Sequence, residues 1–167
     1  MKTIVIYATK YGSTKKIAEN IAAVIPEAEC RAVSELDGLD FEAVVLGTPV
    51  YAGRFLPEMS DFLQKHKSEL EKRKLFFFIV CADKGSVRVN GQETGGAAFL
   101  HQINDFLQQK IISSRAFWGR MIKEQLAEED KAVLDEFSNI LGVEFPDFDR
   151  IETEEAREFG REIKGML

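Results

Sequence analysis

The sequence has 167 residues, of which 45% are apolar and 30% charged. This length fits one domain, predicted over residues 1–167, and the composition is that of a folded globular protein rather than a disordered or fibrous one. A formal net charge of −6 argues against nucleic acid or an anionic membrane surface as a partner, because both would be repelled. No apolar run reaches the roughly 20 residues of a membrane span, and Cys30 and Cys81 form no metal-binding or disulfide pattern. We therefore expect a cytoplasmic enzyme or carrier.

In the first half of the chain, short apolar runs alternate with longer amphipathic ones. Thr3 to Ala8 is predicted to be a strand buried on both faces, and helical spacing of apolar residues follows from near Ser13 to Pro26. The next predicted elements are a weak strand at 29–33, a strand at 43–47, a helix at 55–70 and a strand at 75–81. This order of strands and helices is typical of a parallel sheet.

The second half continues the alternation and then adds to it. A long polar segment from Asp83 to Gly96 is predicted to be a loop, followed by a helix from Ala97 to Gln109 and a fifth strand from Arg115 to Gly119. Further helices are predicted at 126–141 and 152–166. The fold class is therefore α/β, a doubly wound five-stranded parallel sheet with an additional helix before the C-terminal helix.

The loop after the first strand has the chemistry of a phosphate site. It reads Thr9-Lys10-Tyr11-Gly12-Ser13-Thr14 and precedes a helix, whose first N–H groups are free and whose dipole is positive at this end. The simpler alternative is that Ser13 or Thr14 caps the helix. Neither a P-loop nor a dinucleotide-binding pattern occurs in the sequence.

A second loop makes the pattern more specific. Gly47-Thr48-Pro49-Val50-Tyr51-Ala52-Gly53 follows the third strand, and the two loops together resemble the flavodoxin family, which includes the menaquinone-dependent protoporphyrinogen oxidases. The resemblance covers essentially the whole chain. It implies noncovalent FMN, the strand order 2-1-3-4-5 and electron transfer through the flavin ring.

The resemblance also implies residue roles. The phosphate would be held by Thr9, Tyr11, Gly12, Ser13 and Thr14, with Lys10 at a variable position. The family often has Thr in place of Tyr11, so one hydroxyl donor is either lost or supplied by the phenol. The inner face of the flavin would be lined by Thr48, Pro49, Val50, Tyr51, Ala52 and Gly53, with Tyr51 as a stacking partner or merely packed over the loop. The pyrimidine edge would be followed by Ala82, Asp83, Lys84 and Gly85.

The outer face of the flavin is expected to be open. Flavodoxins commonly place an aromatic residue there, but this sequence has none between Cys81 and Asn90, which would leave room for a flat partner such as a quinone or a porphyrin. The alternative is that a residue from the loop up to Gly96 covers this face. Lys84 and Arg88 either raise the flavin potential or are solvated. Two further residues have open roles, since Arg54 either binds substrate carboxylates or is solvated and Trp118 either approaches the flavin or is buried in the core.

Three functions follow from these patterns. The first is an FMN protein that carries electrons between a reductase and an acceptor, with a redox protein or a small flat molecule as partner. The second is a flavin-dependent oxidoreductase resembling protoporphyrinogen oxidase or a quinone reductase, and the third is a binding module without a flavin. A thiolate phosphatase is disfavoured, because six residues separate Cys81 from Arg88 where those enzymes have five.

Overall fold

A computed structural model describes residues 1–36, 38–51, 53–89, 91–108 and 110–167, with only the backbone for Val87 and Val89. Within these ranges the strands are β1 (Thr3–Tyr7), β2 (Glu29–Ala32), β3 (Ala43–Tyr51), β4 (Arg54–Phe55), β5 (Lys74–Cys81), β6 (Val87–Val89), β7 (Gln92–Thr94), β8 (Ile111–Trp118), β9 (Arg120–Met121) and β10 (Phe148–Asp149). The α-helices are α1 (Ser13–Ala22), α2 (Pro57–Leu70), α3 (Gly96–Phe106), α4 (Glu128–Leu141) and α5 (Thr153–Met166).

The main sheet is parallel and has the order β2-β1-β3-β5-β8. Counting only these principal strands, this is the order 2-1-3-4-5, so the predicted fold class is confirmed. The chain passes from β1 outward to β2 and then returns across β1 to β3. The winding direction thus reverses between β1 and β3, which is where parallel sheets open a crevice at the strand ends.

The strands are buried on both faces because their side chains alternate between two cores. Ile4, Ile6 and Phe77 belong to the cluster that contains residues of α2 and α3, whereas Val5 and Phe76 belong to the cluster of α1 and α5. Each of these five side chains has no exposed surface. The nearly continuous apolar runs of β1 and β5 follow from this two-sided burial.

Helix α4 is the additional element and differs from the others. All its residues are described, and none of them is buried. It lies between β9 and β10, which pair antiparallel through Met121 and Phe148. The helix begins at Glu128 rather than at the predicted Leu126, because Leu126 and Ala127 have an extended backbone after the short 3-10 turn at 123–125.

The segment predicted as a simple loop after the third strand is partly strand. β3 continues through Tyr51 and turns back, so that Val50 pairs with Phe55 and Tyr51 with Arg54. The predicted helix start at Phe55 was wrong for the same reason, since Phe55 is held in β4 and α2 begins at Pro57. Ala52 lies outside the described residues.

The predicted loop from Asp83 to Gly96 contains a β-hairpin. β6 pairs antiparallel with β7, with Arg88 opposite Glu93. The sequence contains a signal for it, because the Asn90-Gly91 pair favours a hairpin turn, and Gly91 has a φ of +80°. Asn90 itself is not among the described residues.

Two other boundaries were wrong. α1 ends at Ala22 rather than near Pro26, and the residues after it form turns. The fifth main strand begins at Ile111 rather than Arg115. Its start was hidden because the strand lies at the edge of the sheet, where Ser113 and Ser114 interrupt the apolar run. In the described helices, no apolar stretch is long enough to cross a membrane.

Candidate functional site

A cavity of about 470 Å³ lies at the carboxyl ends of the main strands. Its floor comes from the ends of β3, β5 and β8, with Val50, Ala82 and Gly119 among the lining residues. The opposite wall is the apolar face of α4, formed by Val133, Leu134, Phe137 and Leu141. Tyr11 and Ser13 bring the predicted phosphate loop to the edge of the same cavity.

The phosphate loop turns sharply into α1 at Gly12. Gly12 has a φ of +89°, a left-handed conformation that side chains other than hydrogen disfavour. Its N–H donates to Thr9 Oγ1 at 3.0 Å, so the hydroxyl hydrogen of Thr9 stays available to a ligand. Lys16 N–H donates to the Gly12 carbonyl at 3.1 Å, which leaves the preceding N–H groups of the helix without helical partners.

The two hydroxyls at the start of α1 do not cap the helix. The N-cap is Gly12, and no side-chain capping bond is present among the described residues. Thr14 is 1% exposed, and its Oγ1 has no hydrogen-bond partner among the described groups. A buried hydroxyl without a partner costs free energy, so the helix-cap interpretation fails for Thr14 and a ligand atom at this position would satisfy it.

Tyr11 points out of the phosphate loop toward α4. Its hydroxyl accepts a hydrogen bond from Ala127 N–H at 2.9 Å and donates one to Asp130. Lys10 Nζ lies 2.8 Å from the same Asp130 carboxylate and 3.8 Å from Glu129. The phenol hydroxyl is therefore engaged by Ala127 and Asp130, which leaves it directed away from the predicted phosphate position.

The charges in this cluster stabilise one another. Burial raises the pKa of Asp130, but hydrogen bonds from Lys10 and Tyr11 outweigh it and hold that pKa below its usual range. The pKa of Lys10 is raised, chiefly by the hydrogen bond to Asp130. Burial, followed by the bond to Asp130, raises the pKa of Tyr11. The cluster is thus a lysine cation, an aspartate anion and a neutral phenol at neutral pH.

The second predicted loop divides into residues that reach the cavity and one that does not. Pro49, Val50, Tyr51 and Gly53 line the cavity. Thr48 is fully buried and its hydroxyl donates to the Pro49 carbonyl at 3.2 Å, so it has no role at the cavity surface. The Tyr51 ring meets the Tyr11 ring edge-on, with centroids 5.9 Å apart.

Only some residues of the third predicted loop, which follows β5, line the cavity. Ala82 and Asp83 line the cavity, and Asp83 Oδ1 accepts the Gly85 N–H at 2.8 Å to form a tight turn. Lys84 Nζ is held by both carboxylate oxygens of Glu155, at 2.8 and 2.9 Å. Its charge is therefore balanced by α5.

The two arginines with open roles are not among the described residues that line the cavity. Arg54 is exposed at the tip of the β3–β4 turn. Arg88 is exposed as well and lies 3.7 Å from Glu93 across the hairpin. The solvated interpretation fits both.

Trp118 lines the cavity rather than filling the core, and its neighbour Phe117 is the buried residue. The guanidinium of Arg150 lies 4.8 Å from the centre of the Trp118 ring and 5.4 Å from that of Phe148. This places a cation on two aromatic faces at the rim of an otherwise apolar wall.

Several lining residues were not singled out from the sequence. They come from the start of α3 and from the segments on either side of α4, and include Gly95, Phe99, Met121, Phe145 and Pro146. The apolar face of α4 was a usable signal, since a helix outside the alternating β–α pattern must cover something with its apolar side. The position of the segments before and after it depends on the short β9–β10 pairing, which two-residue strands do not reveal in sequence.

Cys81 is a buried thiol at the end of β5. It is 7% exposed, and its Sγ donates to the Asp83 carbonyl at 3.0 Å. Burial raises its pKa to about 11, so the nucleophilic thiolate is scarce at neutral pH. No group of three metal-binding side chains occurs among the described residues either.

We expect Cys81 to react with iodoacetamide about 100-fold more slowly than an ordinary free cysteine at pH 8, because its thiolate fraction is lower by about that factor. The rate should climb with pH toward 11, where the thiol ionises. Mass spectrometry of the Cys81 peptide against pH measures this, with unfolded protein as the control. Rapid labelling at pH 7 would reopen thiolate chemistry at this site.

The sheet order and the crevice at its reversal point define a flavodoxin-like fold. The family described as "Flavodoxin domain" matches residues 4–144, which is most of the chain, and the chain belongs to this family. It is 25% identical over 87 residues to protoporphyrinogen IX dehydrogenase (quinone) of Escherichia coli K12, a match covering 48% of each protein. The chain thus spans about half the length of that relative.

Solved structures show the same fold. Oxidised flavodoxin 1 from Bacillus cereus is 17% identical with a TM-score of 0.63, covering 100% of this chain and 99% of that one. A flavoprotein in complex with FMN from Lactobacillus acidophilus NCFM is 18% identical with a TM-score of 0.54, covering 69% of this chain and 92% of that one. At these identities the likeness establishes the fold alone.

Proposed function

We propose that the protein binds FMN noncovalently and transfers electrons between the flavin and a small flat molecule seated against α4. The observation that carries the FMN proposal is the buried, unpartnered Thr14 hydroxyl at the start of α1, next to Ser13, which lines the cavity. An orphaned buried donor next to a helix N-terminus fits a phosphate group. The FMN named for the Lactobacillus acidophilus flavoprotein, which shares the fold, supports the same choice.

The described residues fit each part of FMN. Thr9, Gly12, Ser13 and Thr14 would hold the phosphate through hydroxyl and N–H donors. The ring would contact residues of both other loops, namely Pro49, Val50, Tyr51, Gly53, Ala82 and Asp83. Lys10, Lys84 and Gly85 would not contact FMN but would fix the loops that do. Lys10 would do so through its ion pair with Asp130, Lys84 through its ion pair with Glu155, and Gly85 through its hydrogen bond to Asp83. The flavin supplies one- and two-electron chemistry when bound, and the protein supplies orientation and electrostatics.

The apolar wall favours a small-molecule acceptor or donor. A protein partner needs only an exposed flavin edge, whereas here Leu134 and Phe137 line a wall facing the strand ends. Such a wall gives little specificity for charge but suits a flat apolar body. The quinone in the name of the Escherichia coli relative is a molecule of this kind.

The carrier function, the first candidate from the sequence, becomes the second candidate here, and one observation favours it. Ile140 and Val143, at the C-terminal end of α4, are 48% and 49% exposed. Exposed apolar residues beside a redox site can form the centre of a protein contact. A cytoplasmic location and a single domain over residues 1–167 stay predictions.

Titration of the purified chain with FMN, followed by anaerobic reduction and reoxidation, tests the proposal. We expect a perturbed flavin absorption spectrum with one FMN per chain, and saturable oxidation of the reduced protein by menadione. Reoxidation by menadione without saturation, but rapid transfer to a protein acceptor, would favour the carrier. Failure to bind FMN at all would contradict the proposal and leave a non-redox binding module.

A further inference from the structure

The helix that walls the cavity is barely held by the core. Each other α-helix in the described ranges buries at least four residues, whereas α4 buries none. Its apolar side faces a cavity, which offers few contacts when no ligand is present. Something other than core packing must therefore fix where this wall lies.

The contacts that fix the position of α4 lie at its N-terminal end. Tyr11 bonds both the Ala127 N–H and the Asp130 carboxylate, and Lys10 pairs with the same carboxylate at 2.8 Å. Asp130 is 22% exposed in its side chain, so the cluster is shielded more than an ordinary surface ion pair. These bonds connect residues more than a hundred positions apart in sequence, from the phosphate loop to α4.

The packing of Tyr11 against Tyr51 also favours the contact between the phenol and α4. The ring of Tyr11 is fixed edge-on by Tyr51, with 5.9 Å between centroids, so the hydroxyl is presented to α4 by a rigid side chain. Other contacts at this end of the helix are weaker or local. Lys10 is 3.8 Å from Glu129, and Lys131 pairs with Glu128 within the helix itself.

We propose that Tyr11 and Asp130 are positioning residues that hold α4 over the cavity and thereby set how tightly a flat apolar substrate binds beside the phosphate loop. The part that concerns the substrate rests on the proposed function. The positioning of α4 does not, because the bonds join two parts of the protein without a ligand. The two parts can therefore be tested separately.

The first experiment measures hydrogen exchange of the α4 amides in the protein without flavin. Tyr11→Phe should speed exchange about tenfold, because it removes the bonds to Ala127 N–H and to Asp130, and Asp130→Asn should do the same because it removes the charge that pairs with Lys10 and strengthens the bond from Tyr11. The double variant should speed exchange more than either single one, since Tyr11→Phe leaves the Lys10–Asp130 pair in place and Asp130→Asn leaves the Tyr11–Ala127 bond in place. Glu128→Gln is the matched control: it removes the same charge from the same helical turn, including its interaction with the helix dipole, but does not touch Tyr11.

The second experiment uses the FMN-loaded protein with menadione as the probe. Asp130→Asn should raise the KM for menadione about tenfold, because the wall is no longer held in place. FMN binding should be kept or strengthened, because a carboxylate near the phosphate loop has been removed. Reduction of ferricyanide, which needs no apolar wall, should not slow. A merely structural defect would instead weaken FMN binding and slow both acceptors.

Several results would overturn the inference. If Glu128→Gln speeds α4 exchange as much as Asp130→Asn, the helix dipole and not the Tyr11 contact holds the helix. If Tyr11→Phe leaves exchange unchanged, the phenol has no positioning role. If exchange rises but the KM for menadione does not, α4 does not set substrate binding. A protein that binds no FMN would refute the proposed function while the exchange result still decides the positioning of α4.

Discussion

Replacing Thr14 with valine is expected to weaken FMN binding by about 10- to 100-fold, the worth of one hydrogen bond to a charged group. The same substitution should stabilise the protein without flavin by about 1 kcal/mol, or roughly 2–4 °C in Tm, because valine has the shape of threonine and removes a buried hydroxyl that has no partner. Fluorescence titration with FMN and thermal unfolding of the apoprotein measure the two effects.

The combination of weaker FMN binding and a more stable apoprotein is expected only if Thr14 belongs to a ligand site. Thr3→Val is a matched control, because Thr3 is equally buried but lies at the other end of β1 and its hydroxyl donates to the Met1 carbonyl at 3.2 Å. It should destabilise the protein slightly and leave FMN binding unchanged. A Thr14→Val protein that is less stable and binds FMN normally would show that this hydroxyl serves the fold alone.

Replacing Phe137 with alanine should raise the KM for menadione about tenfold, since a partly buried ring contributes roughly 1.5 kcal/mol to an apolar contact. The free energy of unfolding should fall by less than about 1 kcal/mol, because the ring lines the cavity and is outside both cores. Steady-state kinetics with menadione and chemical denaturation measure the two quantities.

Phe159→Ala provides the contrast for this prediction. Phe159 has no exposed surface and packs against Phe117 in the α1–α5 core, so its loss should cost about 3–5 kcal/mol. If Phe137→Ala destabilises the protein as strongly, α4 is a packing element. If it leaves the KM for menadione unchanged, the apolar wall does not bind the substrate.

The sheet could be predicted from sequence because a strand that is buried on both faces has a continuous run of apolar residues. The runs from Ile4 to Tyr7 in β1 and from Leu75 to Cys81 in β5 are apolar without interruption, and parallel strands joined by helices allow few strand orders. The turn between β1 and α1 at Gly12 could also be predicted, whereas the binding of a phosphate there stays a prediction. What the sequence left open was whether Ser13 and Thr14 cap the helix, a question that depends on the conformation of Gly12.

The other parts of the site depend on contacts between distant residues. Tyr11 was assigned to the phosphate by analogy with the family, but its partners are Ala127 and Asp130, more than a hundred residues away. Lys84 was expected near the flavin, and its partner Glu155 lies on the last helix. Neither pairing has a local signal, because charged residues on exposed helix turns are common and any of them is a possible partner.

The most direct measurement of the central claim compares FMN with riboflavin, which has the same ring but no phosphate. If the loop from Thr9 to Thr14 binds the phosphate, isothermal titration should show that FMN binds at least about 100-fold more tightly than riboflavin. Riboflavin lacks the phosphate dianion and therefore cannot form the charge-assisted hydrogen bonds that this loop would make to it. Thr14→Val should narrow this ratio by acting on FMN alone. Equal affinity of the two flavins for the unmodified protein would contradict the account, since the loop would then contribute nothing to binding.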